Sequence, residues 1–204
     1  MHTNSKDHTN STIINSDITD NFDEQALIHN WQQVKHQVME ACNQAGDREV
    51  GSVDLLAVSK TKPAEMIAAL AEQGQRDFGE NYLQEAIEKI KALQGRPNTN
   101  RIVWHYIGHI QRNKTRDIAE HFDWVQTVER DIIAKRLHSQ RPDNLTPLNV
   151  LVQVNIDNED SKSGCLPEEL PDLIATIKGY ERLQLRGLMI IPAKADTEAF
   201  ARTK

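Results

Sequence analysis

The feature that most constrains this chain is an alternation. From Val53 to Ile191, short apolar runs rich in β-branched residues take turns with stretches of helical period. VDLLAVSK (53–60), DFGEN (77–81), IVWHYIGH (102–109), DWVQTV (123–128), PLNVLVQVNI (147–156) and LQLRGLMII (183–191) read as strands. Between them, AEMIAALAEQG (64–74), YLQEAIEKIKAL (82–93), residues 112–121, ERDIIAKRLHSQ (129–140) and PEELPDLIATIKG (167–179) read as helices. Pro63 suits a helix start and Gly74 a helix end. A further helix, residues 23–45, precedes the first strand; with Phe22 just before it, its apolar positions are Leu27, Trp31, Val34, Val38 and Ala41. Another begins at Asp196. A parallel return needs a crossover, usually a helix, so this order predicts a parallel sheet.

Two parallel architectures compete: an open doubly wound sheet and a (β/α)8 TIM-type barrel. Neither G-x-G-x-x-G nor G-x-x-x-x-G-K occurs, which removes the main support for a nucleotide-binding open sheet. Polar residues and glycine gather instead at strand C-termini: Ser59 and Lys60, Glu80 and Asn81, Gly108 and His109, Thr127, Asn155. In a barrel these surround one mouth, where chemistry collects. Six strands cannot close an eight-stranded barrel, so the pattern alone leaves two forms of an α/β fold: an open sheet, or a (β/α)8 type that is incomplete, with about six βα units.

Composition narrows the function classes. Lys and Arg total 24 against 30 Asp and Glu, a net charge of -6, which disfavours a general nucleic-acid surface. Two cysteines, Cys42 and Cys165, make no disulfide framework and suit a reducing, cytoplasmic compartment. No apolar run is long enough for a membrane helix. Residues 1–21 are polar and are expected to form a disordered tail, leaving 22–204 as the folded unit.

Side chains alternate along a strand, so Lys60 shares a face with Val58 and Leu56, while Ser59 shares the other with Ala57. An amine projecting into a mouth can attack a carbonyl and hold it as an imine. A lysine that only solvates a strand end is the alternative. Lys62 is either a surface charge or a source of positive potential beside Lys60. Asn81 is either a helix cap or a ligand contact, and Glu85 reads as surface. His105 is either a general base or a ring for stacking on a planar group, with Trp104 and Tyr106 on the opposite face. HYIGH is not H-E-x-x-H, and no metal set is expected. Lys162, in the polar loop NIDNEDSKSG, either reaches over the mouth or is solvated. Met189 either walls a pocket or fills the core.

LLAVSKTKP, DFGENYLQEA, WHYIGHIQRNK, HFDWVQTVER, NVLVQVNI, SKSG and LRGLMIIP, in this order, closely resemble the pyridoxal phosphate homeostasis proteins, the YggS/PROSC family. The resemblance spans about residues 23–204. It implies a single barrel like the N-terminal domain of bacterial alanine racemase. It implies pyridoxal 5'-phosphate held as a Schiff base without turnover, in the service of vitamin B6 homeostasis. It makes Lys60 the cofactor lysine and puts Asn81 near the cofactor, with Lys62 and Lys162 close to the mouth. The implied partner is the small-molecule cofactor, in a monomer without membrane or nucleic acid. The chain departs from the pattern at His109, where the family usually has proline, and at Arg112, often a small residue. The family also carries strands seven and eight, with a GMSxD segment and an arginine–glycine pair that grip the phosphate and pyridine nitrogen, beyond the position of Lys204. Their lack is expected to leave two open edges through which chains associate. A racemase-like enzyme and a truncated remnant without function remain alternatives.

Overall fold

The computed structural model describes residues 22–45, 51–159 and 162–193. The expected tail at 1–21 and the helix beginning at Asp196 lie outside the described residues. Helix α1 (Glu24–Ala45) leads into β1 (Ala57–Val58), α2 (Ala64–Glu72), β2 (Asp77–Glu80) and α3 (Leu83–Leu93). Then come β3 (Val103–Tyr106), α4 (Thr115–His121), β4 (Trp124–Val128), α5 (Asp131–Gln140), β5 (Leu148–Val154), α6 (Leu170–Lys178) and β6 (Leu183–Ile190). The six strands form one sheet in sequence order, every neighbouring pair parallel. This is the expected arc of a (β/α)8-type fold. Among the described strands β1 and β6 are its two edges.

The outer face of the sheet packs against the helices. Phe78, Trp104, Tyr106, Val125, Val150, Val152 and Val154 are buried with Ile67, Ile87, Ile118, Ile133, Leu137, Leu173 and Ile177 from the helices. Each fully buried side chain of this size contributes about 1.5–3 kcal/mol, so this layer holds the fold. The inner face is polar at the strand starts, where Asp77, His105 and Gln126 are joined by hydrogen bonds.

Four expectations change in detail. The first strand is short: Ala57 and Val58 alone pair with β2, and the Leu55 carbonyl is taken instead by Gln75 Nε2 at 2.7 Å. The helix at 112–121 splits into a 3₁₀ turn (Arg112–Lys114) and α4. The helix expected from 167 begins at Leu170, after a turn in which Glu169 accepts from the Leu166 amide. In α1, Leu27 and Trp31 pack on the core but Val34 and Ala41 face solvent. No helix among the described residues is long and apolar enough to cross a membrane, and no cluster of metal-ligating side chains occurs among them.

Candidate functional site

Lys60 lies in a turn at the end of β1. The Ser59 amide donates to the Gly79 carbonyl at 2.9 Å, the last ladder bond on this strand. The Lys62 amide then donates back to the Ser59 carbonyl at 3.1 Å, closing the turn Ser59–Lys62. Thr61 takes φ 61°, the left-handed region, which a β-branched residue rarely adopts. Lys60 is exposed, and no described residue bonds its side chain. Val58 pairs with Gly79, and Lys60 and Asn81 each follow that pair by two residues.

Asn81 is not a helix cap. α3 starts at Leu83 without any side-chain cap bond. The Asn81 Oδ1 atom is buried and unpartnered, a costly state for an amide oxygen. The position of Asn81 is set by Gly108, where a Cβ would fall 2.4 Å from the Asn81 carbonyl oxygen. Thr127 Oγ1 donates to the Gly108 carbonyl at 2.6 Å and holds that close approach.

The other candidates divide. Lys62 is exposed beside the turn, and Met189 is half-buried on β6, opposite Gln153. His105 is engaged below the mouth, by Asp77 at 3.0 Å on Nε2 and Gln126 at 3.0 Å on Nδ1, and its ring stacks on Trp124 at 5.3 Å. Since the Gln126 amide donates to Nδ1, the neutral ring carries its proton on Nε2 and donates it to Asp77. Burial pushes the His105 pKa down, against the opposing pull of Asp77 and Asp123. Lys162 is tied to its own loop: its Nζ sits 2.6 Å from Asp157 Oδ2 and 3.1 Å from Glu159 Oε1. The Asp157 bond, with Glu159 beside it, raises the Lys162 pKa although burial opposes it. His109 is exposed, 3.9 Å from Glu129 Oε1, and Arg112 is exposed in the 3₁₀ turn.

Residue-type reasoning missed the charges beneath the turn. Lys89 of α3 is buried and donates to the Ser59 carbonyl at 2.7 Å, Glu80 Oε1 at 2.8 Å and Glu85 Oε1 at 2.5 Å. Ser59 Oγ donates to Glu80 Oε1, and the Thr61 amide to Glu85 Oε1, both at 2.6 Å. Burial pushes the Glu85 carboxyl up, but its bonds to Lys89 and the Thr61 amide outweigh this and hold it below the ordinary range. Glu85 is therefore not a plain surface residue. The one available signal was the spacing of Glu85 and Lys89, four residues apart on a helix.

Residues 22–204 match the alanine racemase N-terminal domain family. The pyridoxal phosphate homeostasis protein of Escherichia coli K12 is 50% identical over 167 residues, covering 82% of this chain and 70% of the relative. That of Pseudomonas aeruginosa is 50% identical over 183 residues, covering 87% and 77%. This chain belongs to the pyridoxal phosphate homeostasis family. The solved structure of PipY from Synechococcus elongatus with PLP bound superposes with a TM-score of 0.64 at 32% identity, over 81% of this chain and 75% of PipY. Within this family fold, the residues described at the strand ends fit an aldehyde-bearing polar group. An unengaged primary amine and a buried amide oxygen without a partner each follow by two residues the last paired positions of β1 and β2, Val58 and Gly79.

Proposed function

We propose that this chain binds pyridoxal 5'-phosphate at the C-terminal ends of its strands, with Lys60 as the anchoring amine and Asn81 beside it, and serves intracellular vitamin B6 homeostasis without turning the cofactor over. Pyridoxal phosphate supplies an aldehyde carbon, which a primary amine attacks with loss of water. The observation that supports the reading is the strand register: Val58 is opposite Gly79, and the unengaged Lys60 and the unpartnered Asn81 amide each follow that pair by two residues. Lys60 binds, Asn81 orients by hydrogen bonding, and Gly108 lets Asn81 come close.

The lack of turnover follows from the neighbouring groups. Racemisation needs an acid and a base on opposite cofactor faces. Tyr106 is buried edge-on against Phe122, its hydroxyl donating to the His109 carbonyl at 3.1 Å, and His105 has both ring nitrogens occupied. Lys62 and Met189 flank the mouth, while Lys162, tied to its own loop, shapes the rim. In this reading residues 22–204 form the cofactor unit behind a polar tail at 1–21. The protein is cytoplasmic, its partner is the cofactor and neither nucleic acid nor membrane, and chains associate through the open edges at β1 and β6.

The test is chemical trapping. Protein incubated with pyridoxal phosphate and reduced with borohydride should carry the cofactor mass on the Lys60 peptide, and Lys60→Ala should carry none. Label spread evenly over Lys62, Lys114 and Lys162 would overturn the assignment. With L-alanine in heavy water, Cα-proton exchange well above that of Lys60→Ala would contradict the absence of turnover.

A further inference from the structure

We infer that Glu80, Glu85 and Lys89 are positioning residues for Lys60, holding the turn Ser59–Lys62 in the one form that presents the Lys60 amine at the mouth. This rests on the reading of Lys60 as the anchoring amine. Glu80 holds the Ser59 hydroxyl, while Lys89 and Glu85 grip the backbone on either side of Lys60. Before it, the Ser59 carbonyl accepts from Lys89 Nζ at 2.7 Å, and the Ser59 hydroxyl is tied to Glu80 at 2.6 Å. After it, the Thr61 amide donates to Glu85 at 2.6 Å. Lys89 joins the two carboxylates, so the flanks of Lys60 are linked through one ammonium.

The turn needs such a clamp. Its third residue has a positive φ, a place that suits glycine or asparagine, yet Thr61 stands there. Strain of this kind persists where the surroundings over-determine the backbone, and it gathers at working sites. None of the three gripping side chains lies on the Lys60 face. Ser59 and Glu80 belong to the outer face, and Lys89 and Glu85 rise from α3 behind it. The clamp therefore fixes where the Lys60 amine points without approaching what it binds.

The strain supplies a test that a merely structural role would not pass. The full 204-residue protein is compared as wild type, Glu85→Ala, Glu85→Gln, Thr61→Gly and the Glu85→Ala/Thr61→Gly double variant. Two readouts are taken: the rate at which borohydride fixes pyridoxal phosphate on Lys60, and amide hydrogen exchange of residues 59–62 in protein without cofactor. Glu85→Ala should slow fixation on the order of tenfold and speed local exchange on the order of tenfold, with β4 and β5 unchanged. Glu85→Gln, which keeps an acceptor for the Thr61 amide, should restore both. In the Thr61→Gly background, where the left-handed conformation carries no side-chain clash, loss of Glu85 should matter far less. Equal slowing by Glu85→Ala in both backgrounds, or no change in exchange at 59–62, overturns the inference. If the wild type is labelled elsewhere than on Lys60, the cofactor assignment falls, and exchange alone then decides the clamp. Faster exchange confined to 59–62 and suppressed by Thr61→Gly supports it, and unchanged exchange overturns it.

Discussion

Lys60 and Lys89 approach the same turn from opposite faces of the sheet. Lys60 is exposed and unengaged, whereas Lys89 is buried against three oxygens. An ammonium taken from water must be paired and hydrogen-bonded, and Lys89 meets that condition through Glu80, Glu85 and the Ser59 carbonyl. The difference teaches that the face from which a lysine approaches the sheet, and not residue type, separates a structural lysine from one available for chemistry. Glu80 and Asn81 are adjacent in sequence, yet the first bonds Lys89 and the second, like Lys60, follows the Val58–Gly79 pair by two residues.

The comparison is broken most easily at Lys89. Lys89→Met leaves Glu80 and Glu85 as close carboxylates without their cation, and loss of one partner from a buried pair costs about 3–5 kcal/mol. Urea unfolding should show this as a large fall in midpoint at unchanged slope. A midpoint close to that of the wild type would mean that Lys89 is as dispensable as a surface lysine.

A smaller change sharpens the Lys60 side alone. Gly108→Ala sets a methyl group 2.4 Å from the Asn81 carbonyl oxygen, against backbone that cannot yield cheaply. Overpacking of this kind costs about 1–3 kcal/mol. It should weaken retention of pyridoxal phosphate while leaving the Lys89 contacts intact. Equilibrium dialysis beside urea unfolding checks both, and unaltered retention would remove Asn81 from the site.

What was legible in the sequence follows the same divide. β5 declared itself through its Val-rich run, and the shared face of Leu56, Val58 and Lys60 came from the two-residue period alone. The short β1 was not legible, because it depends on the Gln75 side chain, fixed in turn by Trp31 Nε1 at 2.8 Å, capturing the Leu55 carbonyl. Glu85 read as surface, and Lys89 drew no reading of its own. Their burial comes from Glu80 on another element, and helix periodicity does not carry that contact. The partners of His105 and Lys162 were not legible for one reason: each is a carboxylate, Asp77 and Asp157, whose approach is tertiary or set by loop shape.

His105 extends the comparison to a buried base that is neutral. Its folded pKa is depressed below the ordinary 6.5, first by burial. The unfolded chain therefore binds the proton more readily. The stability owed to neutral His105 is complete above the unfolded pKa and is lost as pH falls through the folded one. The slope it adds is at most about 1.4 kcal/mol per pH unit. Urea midpoints measured from about pH 7.5 down to about pH 5 should fall more steeply for the wild type than for His105→Gln, which keeps a donor for Asp77. Parallel curves would mean that His105 is not held neutral.

The smallest stability effect belongs to Lys60 itself, and it is the sharpest statement of the contrast. The side chain is exposed and bonds no described residue, so Lys60→Ala removes no contact and leaves no partner stranded. Substitutions at such positions change stability by about 0.5 kcal/mol or less. The clamp beneath would remain whole, since Lys89 and Glu85 grip the backbone of Ser59 and Thr61, and Glu80 the Ser59 hydroxyl, and none of them the Lys60 side chain. The expected result is an unfolding curve that overlays the wild type in the absence of pyridoxal phosphate. With the cofactor added, the two curves should separate, because ligand that binds only the folded state stabilises by mass action and the variant has lost its anchor. A loss of stability approaching that of Lys89→Met, already present without cofactor, would show that Lys60 is a structural lysine. The division of labour between the two faces would then fail.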